Sequence, residues 1–176
     1  MTAEFLKSAA ITNDDAIPRV PNKSLIDNGI VRVSRGFNTV TSGATSGSTY
    51  AGVRVPSACR VISVRVTNPA GSASSAMDCG VYRTAQDTSA AAVGGTAINT
   101  VVDQDFFATA VAMTNANVDL DITGESTTYT NAKREQPLWQ AAGMTSDPGG
   151  TLEICMTNTA TNAAAFAVGL EVEWTI

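Results

Sequence analysis

The sequence predicts an all-β fold, an antiparallel β-sandwich of the jelly-roll type, with one short helix and an extended N-terminal arm. Apolar residues recur at every second position in a series of short runs, and this period places one set of side chains on each face of a strand. The spacers between the runs are rich in Gly, Pro, Ser and Asn, which form turns. Many short strands joined by such turns favour a jelly roll. An immunoglobulin-like sandwich is the second choice, because both tryptophans, Trp139 and Trp174, lie too late for its Cys–Trp–Cys pattern.

The predicted strands follow one another from residue 30 to the C-terminal end. The clearest alternating runs are Val31–Val33, Val53–Val55, Ile62–Val66, Met77–Val81, Leu152–Met156 and Val168–Trp174. Turns are predicted at Ser42–Gly47, Asn68–Gly71, Gly94–Gly95, Thr123–Gly124 and Asp147–Gly150. One buried and one solvated face are expected for each strand, as is typical of antiparallel sheets.

The pattern leaves two segments open and suggests one surface loop. Residues Asp103–Met113 fit either a short helical turn capped by Asp103 or a strand from Phe107 to Met113. A helix is predicted to end at Gly143, where a C-terminal glycine belongs. It begins either after Thr130 or Asn131, or near Gln136 with Pro137 at its first position. The small-residue segment Ala85–Asn99 is predicted to be a long surface loop.

The chain has 176 residues, which suits a single domain over residues 29–176 preceded by an arm over residues 1–28. Pro18 and Pro21 in the arm oppose both a helix and a central strand. We predict that the arm docks on a partner through its apolar side chains. These partner-binding residues are Phe5, Leu6, Ile11, Ile17 and Val20.

Composition argues against most catalytic chemistry, so we expect no enzyme, no catalytic residue, no cofactor and no metal. The chain contains no histidine, the commonest general base and metal ligand. The acidic pairs Asp103/Asp105, Asp119/Asp121 and Glu171/Glu173 are interpreted as solvated strand faces or turn caps, with calcium at a loop as the alternative. The net charge of −5 and the absence of a basic run indicate no nucleic-acid partner, and no apolar stretch is long enough to indicate a membrane partner.

The three cysteines, Cys59, Cys79 and Cys155, lie in or beside predicted strands and form no Cys-x-x-Cys pair. They are interpreted as buried free thiols, which behave as small apolar side chains. One disulfide with a spare thiol is the alternative. Free thiols fit synthesis and assembly in a reducing host cytoplasm.

A set of segments from about Arg54 to the C-terminal end is distinctive in its order: Val55–Val61, Gly80–Tyr82, Asp103–Val111, Thr123–Ser126, Tyr129, Glu135–Gly143 and Asp147–Gly149. In these segments the chain resembles a family of small virion structural proteins of tailed bacteriophages. The resemblance implies a capsid decoration, or cement, protein on the outer capsid surface of the virion. The implied partners are the major capsid protein and further copies of this chain as a homo-oligomer. No residue in residues 1–28 contributes to the resemblance.

Three other functions remain open at this point. A tail or baseplate adaptor is also a β-rich virion part. A carbohydrate-binding β-sandwich requires exposed aromatic side chains, and a hydrolase is disfavoured by the missing histidine.

Overall fold

The computed structural model describes residues 16–18, 30–84 and 100–176. Residues with β-branched and other apolar side chains at alternate positions form eight strands, and two one-turn helices lie between the sixth and seventh strands. The elements are β1 (Arg32–Val40), β2 (Thr49–Pro56), β3 (Arg60–Asn68), β4 (Ala76–Arg83), β5 (Thr100–Ala112), β6 (Asn117–Asp121), α1 (Asn131–Arg134), α2 (Leu138–Ala141), β7 (Thr151–Asn158) and β8 (Phe166–Thr175).

The strands form two antiparallel four-stranded sheets, which we call sheet I (β1-β8-β3-β6) and sheet II (β2-β7-β4-β5). Strand pairs β1/β8, β2/β7, β3/β6 and β4/β5 are all hydrogen-bonded. The first strand pairs with the last, the second with the second-last, and so on to the middle of the chain. This nested pairing is that of a jelly roll. The predicted all-β sandwich is therefore confirmed, and its strand order is the jelly-roll order.

The core lies between the two sheets and takes the inward members of the alternating runs. Val53 and Val55 of sheet II and Val64 and Val66 of sheet I are buried, as are the large apolar residues of β7 and β8. The central strands β4 and β7 are buried on both faces. Tyr82 of β4 and Thr157 of β7 pair on the outward face, with Tyr82 Oη 2.6 Å from Thr157 Oγ1, because a buried polar group needs a hydrogen-bond partner.

The helical segment is divided in two by Pro137. Helix α1 ends at Arg134, since residues shortly before a proline are disfavoured in helical conformation. Pro137 stands directly before α2, one position earlier than predicted, and has φ −55° and ψ 144°. Gly143 follows with φ 80°, as predicted for a glycine that ends a helix.

The segment Asp103–Met113 that the sequence left open is a strand as far as Ala112, so its helical-turn interpretation is wrong. Strand β5 pairs with β4 in an irregular register: Cys79 faces Ala108, and Val81 faces Asp103. The extra β5 residues form a bulge that breaks the alternation. The carboxylate of Asp78 holds this bulge by accepting hydrogen bonds from Gln104 Nε2 at 2.7 Å and from the Ala110 backbone N–H at 2.8 Å.

Two predictions concern parts of the chain outside the described residues. The predicted surface loop at Ala85–Asn99 lies there entirely. Of the predicted arm over residues 1–28, only Ala16–Pro18 is described. The arm and the boundary between it and the domain at residues 29–176 therefore stay predictions.

Candidate functional site

Strand β1 carries its apolar side chains on the outside of the sandwich, apart from Val40 at its end, which is buried in the core. Val33 is 50% exposed and Phe37 is 76% exposed, and Val31 just before the strand is 54% exposed. Ser34, Gly36 and Asn38 occupy the alternate, inward positions. Successive strand residues point to opposite faces. The alternation predicted from the sequence therefore exists in β1, but Val31, Val33 and Phe37 face the solvent.

The inward positions of β1 that precede Val40 are small or polar because β1 and β2 come together at the edge of the sandwich. A Cβ added at Gly36 would lie 1.9 Å from the backbone oxygen of Gly52 in β2, so only glycine fits there. Asn38 Nδ2 donates to the Ala51 backbone oxygen at 2.7 Å. Ser34 Oγ accepts a 2.9 Å hydrogen bond from Trp174 Nε1. These contacts fix which face of β1 is outward.

The ring of Phe37 lies over Gly169 on the neighbouring strand β8. The two residues are register partners, and a Cβ on Gly169 would come within 2.6 Å of the Phe37 ring. Glycine at position 169 thus lets the ring lie down on the sheet while most of it stays exposed. An exposed ring that lies against its own sheet is typical of a side chain that contacts a partner.

A row of alternating charges crosses the same face, one residue per strand. Arg35 (β1), Glu171 (β8), Arg65 (β3) and Asp121 (β6) are successive register partners. Arg35 forms an ion pair with Glu171, and Arg65 NH1 donates to Asp119 Oδ2, also in β6, at 2.7 Å. The charge order across sheet I is therefore plus, minus, plus, minus.

A shallow concavity of about 220 Å³ lies between Phe37 and β6. Its other lining residues are Arg35, Thr67, Asp119, Gly169, Leu170 and Glu171. The volume is below the range of about 300–1,000 Å³ that is usual for pockets that bind small molecules. It suits a side chain of a protein partner better than a separate ligand. We call this surface, with Val33, Phe37, the charged row and the concavity, the outer face of sheet I.

The predicted partner-binding residues do not belong to the outer face of sheet I. Ile17 is 99% exposed, while Phe5, Leu6, Ile11 and Val20 lie outside the described residues, so the arm prediction is untested. Sequence reasoning missed Phe37. The sequence did contain a signal for it. Phe37 lies at the same alternate positions as Val31, Val33 and the charged Arg35, so these residues share one face of the strand.

The carboxylate pairs have different surroundings. Glu171 lies in the charged row, and Glu173 accepts a 2.9 Å hydrogen bond from Ser63 Oγ. Asp121 accepts from the Thr123 backbone N–H at 2.9 Å, which makes it a turn cap. Within residues 16–18, 30–84 and 100–176, no three His, Cys, Asp or Glu side chains converge as metal ligands.

Asp103 is expected to make folding stability depend on pH. Burial raises the pKa of its carboxyl, and hydrogen bonding to and repulsion by the neighbouring Asp105 raise the pKa further. Between the pKa of Asp103 in the unfolded state and its higher pKa in the folded state, the folded protein binds more protons than the unfolded one. The free energy of unfolding therefore falls as the pH rises through this range. We expect Asp103→Asn to raise the melting temperature at pH 7 and to leave it nearly unchanged below the ordinary pKa of aspartate.

Thermal melts of both proteins between pH 3 and pH 8 check the prediction about Asp103. The exposed Glu125→Gln substitution is the matched control and should shift the melting temperature little at any pH. An Asp103→Asn shift that is the same at all pH values would contradict the assigned cause.

All three cysteines are buried and free, so the interpretation as unpaired core thiols is confirmed. Burial raises the pKa of Cys59 and of Cys155 to about 12, and it raises the pKa of Cys79 as well. Because the thiolate is the reactive form, we expect the native protein to resist a disulfide reagent such as DTNB at pH 8. After denaturation, all three thiols should react. Rapid release of the coloured product from native protein would contradict this expectation.

None of the helices in the described residues is long and apolar enough to cross a membrane.

Comparison with protein families finds no match, and comparison with curated proteins finds none either. Among solved structures, a chain of the cyanophage Pam1 capsid asymmetric unit is similar, with 16% sequence identity and a TM-score of 0.44. The similarity covers 84% of this chain and 86% of that chain. A similarity of this strength assigns neither a family nor a role.

Proposed function

We propose that this protein is a non-enzymatic structural component of a tailed-phage virion, a capsid decoration protein that bridges major capsid protein subunits on the outer surface of the head. The observation that carries the proposal is the outer face of sheet I, the surface through which copies of the protein join while the arm binds the capsid. There Phe37 and Val33 are exposed, while other apolar side chains form the core between the sheets. Exposed apolar side chains that share a face with charged residues are typical of a protein contact surface.

The fold and the sequence segments quoted above support the same proposal. Jelly rolls occur in viral capsid and in lectin domains, so the fold permits the role without defining it. Several of the segments that resemble virion proteins include buried parts of the sandwich. Phe106 and Phe107 of β5 and Leu138 of α2 are each at most 1% exposed. The resemblance therefore concerns the scaffold, and the contacts with partners come from the exposed surfaces.

In this proposal the two surfaces have separate tasks. The arm, with Phe5, Leu6, Ile11, Ile17 and Val20, binds the capsid, and Ile17 is fully available for it. The outer face of sheet I joins copies of the protein. Linked copies bind a symmetric shell more tightly than one copy does, because each further contact forms at a high effective concentration.

The test uses purified full-length protein, heads that lack it and isolated tails. Each is mixed with the protein over a range of concentrations and sedimented, and the heads are also heated to measure their melting temperature. Saturable binding to heads at a ratio set by capsid symmetry, with a raised head melting temperature, is the expected result. Binding to tails alone would replace the proposal with a tail or baseplate adaptor.

Two further samples sharpen this test. A chain without residues 1–21 should lose most of its affinity for heads, and full affinity would overturn the role of the arm. A glycan panel covers the carbohydrate-binding alternative. Binding to a glycan without binding to heads or tails would overturn the virion proposal.

A further inference from the structure

We propose that the outer face of sheet I binds a second copy of this chain, with the two copies related by a two-fold axis parallel to the strands. The inference deepens the self-association in the proposed function and does not depend on binding to a capsid. It rests on three features of the described residues. These are the order of charges across the sheet, the seat of Phe37, and the concavity beside it.

The charge order makes the face complementary to itself. A two-fold axis parallel to the strands, between β8 and β3, places β1 of one copy opposite β6 of the other, and β8 opposite β3. Arg35 then faces the acidic residues of β6, Asp119 and Asp121, while Glu171 faces Arg65. Every charge in the row meets one of opposite sign, in both halves of a symmetric interface.

A different axis in the same plane does not give this match. A two-fold axis perpendicular to the strands would place each strand opposite itself, so Arg35 would face Arg35 and Glu171 would face Glu171. Opposed like charges in an interface are unfavourable. The register of the row therefore selects the orientation of the second copy.

The apolar features agree with the same axis. The Phe37 ring lies over Gly169 of β8, so the ring of the second copy comes to lie over β3. The concavity is at this place, between Phe37 and Asp119 and above Thr67. Each copy thus presents one ring and one recess at the same level of the sheet, and both rings are buried when two faces meet.

The area of the outer face of sheet I sets the expected affinity of the dimer. Four strands about 4.8 Å apart, with roughly six residues each at about 3.3 Å per residue, give a contact smaller than the roughly 800 Å² per partner of standard interfaces. We therefore expect a dimer that dissociates on dilution, not a permanent one. On a shell that holds many copies, multivalency would strengthen it.

The first experiment is sedimentation velocity of the full chain over a wide range of concentrations. The wild-type protein should shift from monomer to dimer as its concentration rises. Phe37→Ser should weaken the dimer at least tenfold. The matched control is Val101→Ser in sheet II, where Val101 is 50% exposed, and this variant should dimerise like the wild type.

The second experiment tests the orientation by exchanging charges. The variant Arg35→Glu/Glu171→Arg keeps an ion pair within the chain but changes the row to minus, plus, plus, minus, so two such copies repel. The variant Arg65→Glu/Asp119→Lys has the opposite sign on every strand, plus, minus, minus, plus, except that Asp121 stays negative. Two copies of this variant should also fail to associate. When the two variants are mixed, nearly all the charges are complementary, and a mixed dimer should form.

Folding of both charge variants is checked by circular dichroism, because Asp119 has φ 55° and lysine there is strained. A wild-type chain that stays monomeric at all concentrations would overturn the inference. So would a Phe37→Ser variant that dimerises like the wild type, or folded charge variants that do not associate when mixed. If the wild-type chain binds heads but stays monomeric, the dimer inference fails and the proposed function stands. If it dimerises but binds no heads, the proposed function fails and the dimer inference stands.

Discussion

Replacing Gly36 with alanine should lower the free energy of unfolding by about 3 kcal/mol or more, at or above the upper end of usual overpacking costs. The new methyl group would lie 1.9 Å from the backbone oxygen of Gly52 and 2.8 Å from its carbonyl carbon. Backbone atoms in a strand cannot rotate away as a side chain can. Strand β1 must therefore move away from β2, which also disturbs the 2.7 Å hydrogen bond from Asn38 to Ala51.

Thermal and denaturant unfolding measure this loss. For a chain of this length, about 3 kcal/mol corresponds to a melting temperature lower by roughly 6–12 °C. Gly169→Ala in the adjacent strand is the matched control. Its nearest obstacle is the ring of Phe37, which is exposed and free to turn outwards, so the control should lose much less stability. Equal losses in the two variants would contradict the assigned cause.

The strands were predictable because most of them follow a simple period of two. In β8, the residues Val168, Leu170, Val172 and Trp174 all point inwards, as the alternation indicates. The period fails where a bulge inserts a residue. In β3 the register shifts between Val61 and Ser63, so Val61 is buried and Ile62 is 37% exposed, although Ile62 was grouped with Val64 and Val66. A bulge depends on the partner strand, so a local pattern does not reveal it.

The candidate site was less predictable than the fold, for a physical reason. The alternation in β1 shows that Val31, Val33 and Phe37 share a face, but it does not show which face is inward. That choice depends on the close approach of Gly36 to Gly52, a contact between strands of different sheets. The charged row has the same origin, because it joins residues as distant in sequence as Arg35 and Glu171.

The outward surfaces of the two sheets differ. On sheet II several outward polar groups are paired within the chain, as in the 2.6 Å contact between Arg54 and Glu153. The outer face of sheet I instead leaves Phe37 and Val33 exposed. The two sheets therefore differ in what they offer to partners, and the difference predicts that substitutions on sheet I affect assembly while leaving the fold intact.

Replacing Phe107 with alanine should lower the free energy of unfolding by about 3–5 kcal/mol. Phe107 is fully buried, and its ring packs edge-on against Phe106 at 4.8 Å and Tyr129 at 4.9 Å between centroids. Tyr129 in turn donates a 2.6 Å hydrogen bond to the Val61 backbone oxygen. The cluster thus joins the β5 bulge to β3 across the sandwich, and a cavity there weakens both sheets.

Phe37→Ala is the matched control, since it removes the same side chain from a position that is 76% exposed. Surface substitutions usually change stability by less than about 0.5 kcal/mol, so this variant should melt almost like the wild type when both are measured as monomers at low concentration. Urea unfolding of the wild type, Phe107→Ala and Phe37→Ala measures the contribution of the buried and of the exposed phenylalanine to the free energy of unfolding. A Phe107→Ala loss below about 1 kcal/mol would mean that the core collapses around the cavity, and the bulge would then not depend on the ring cluster. A large Phe37→Ala loss under the same conditions would mean that the ring holds β1 to β8 within one chain, instead of serving a partner.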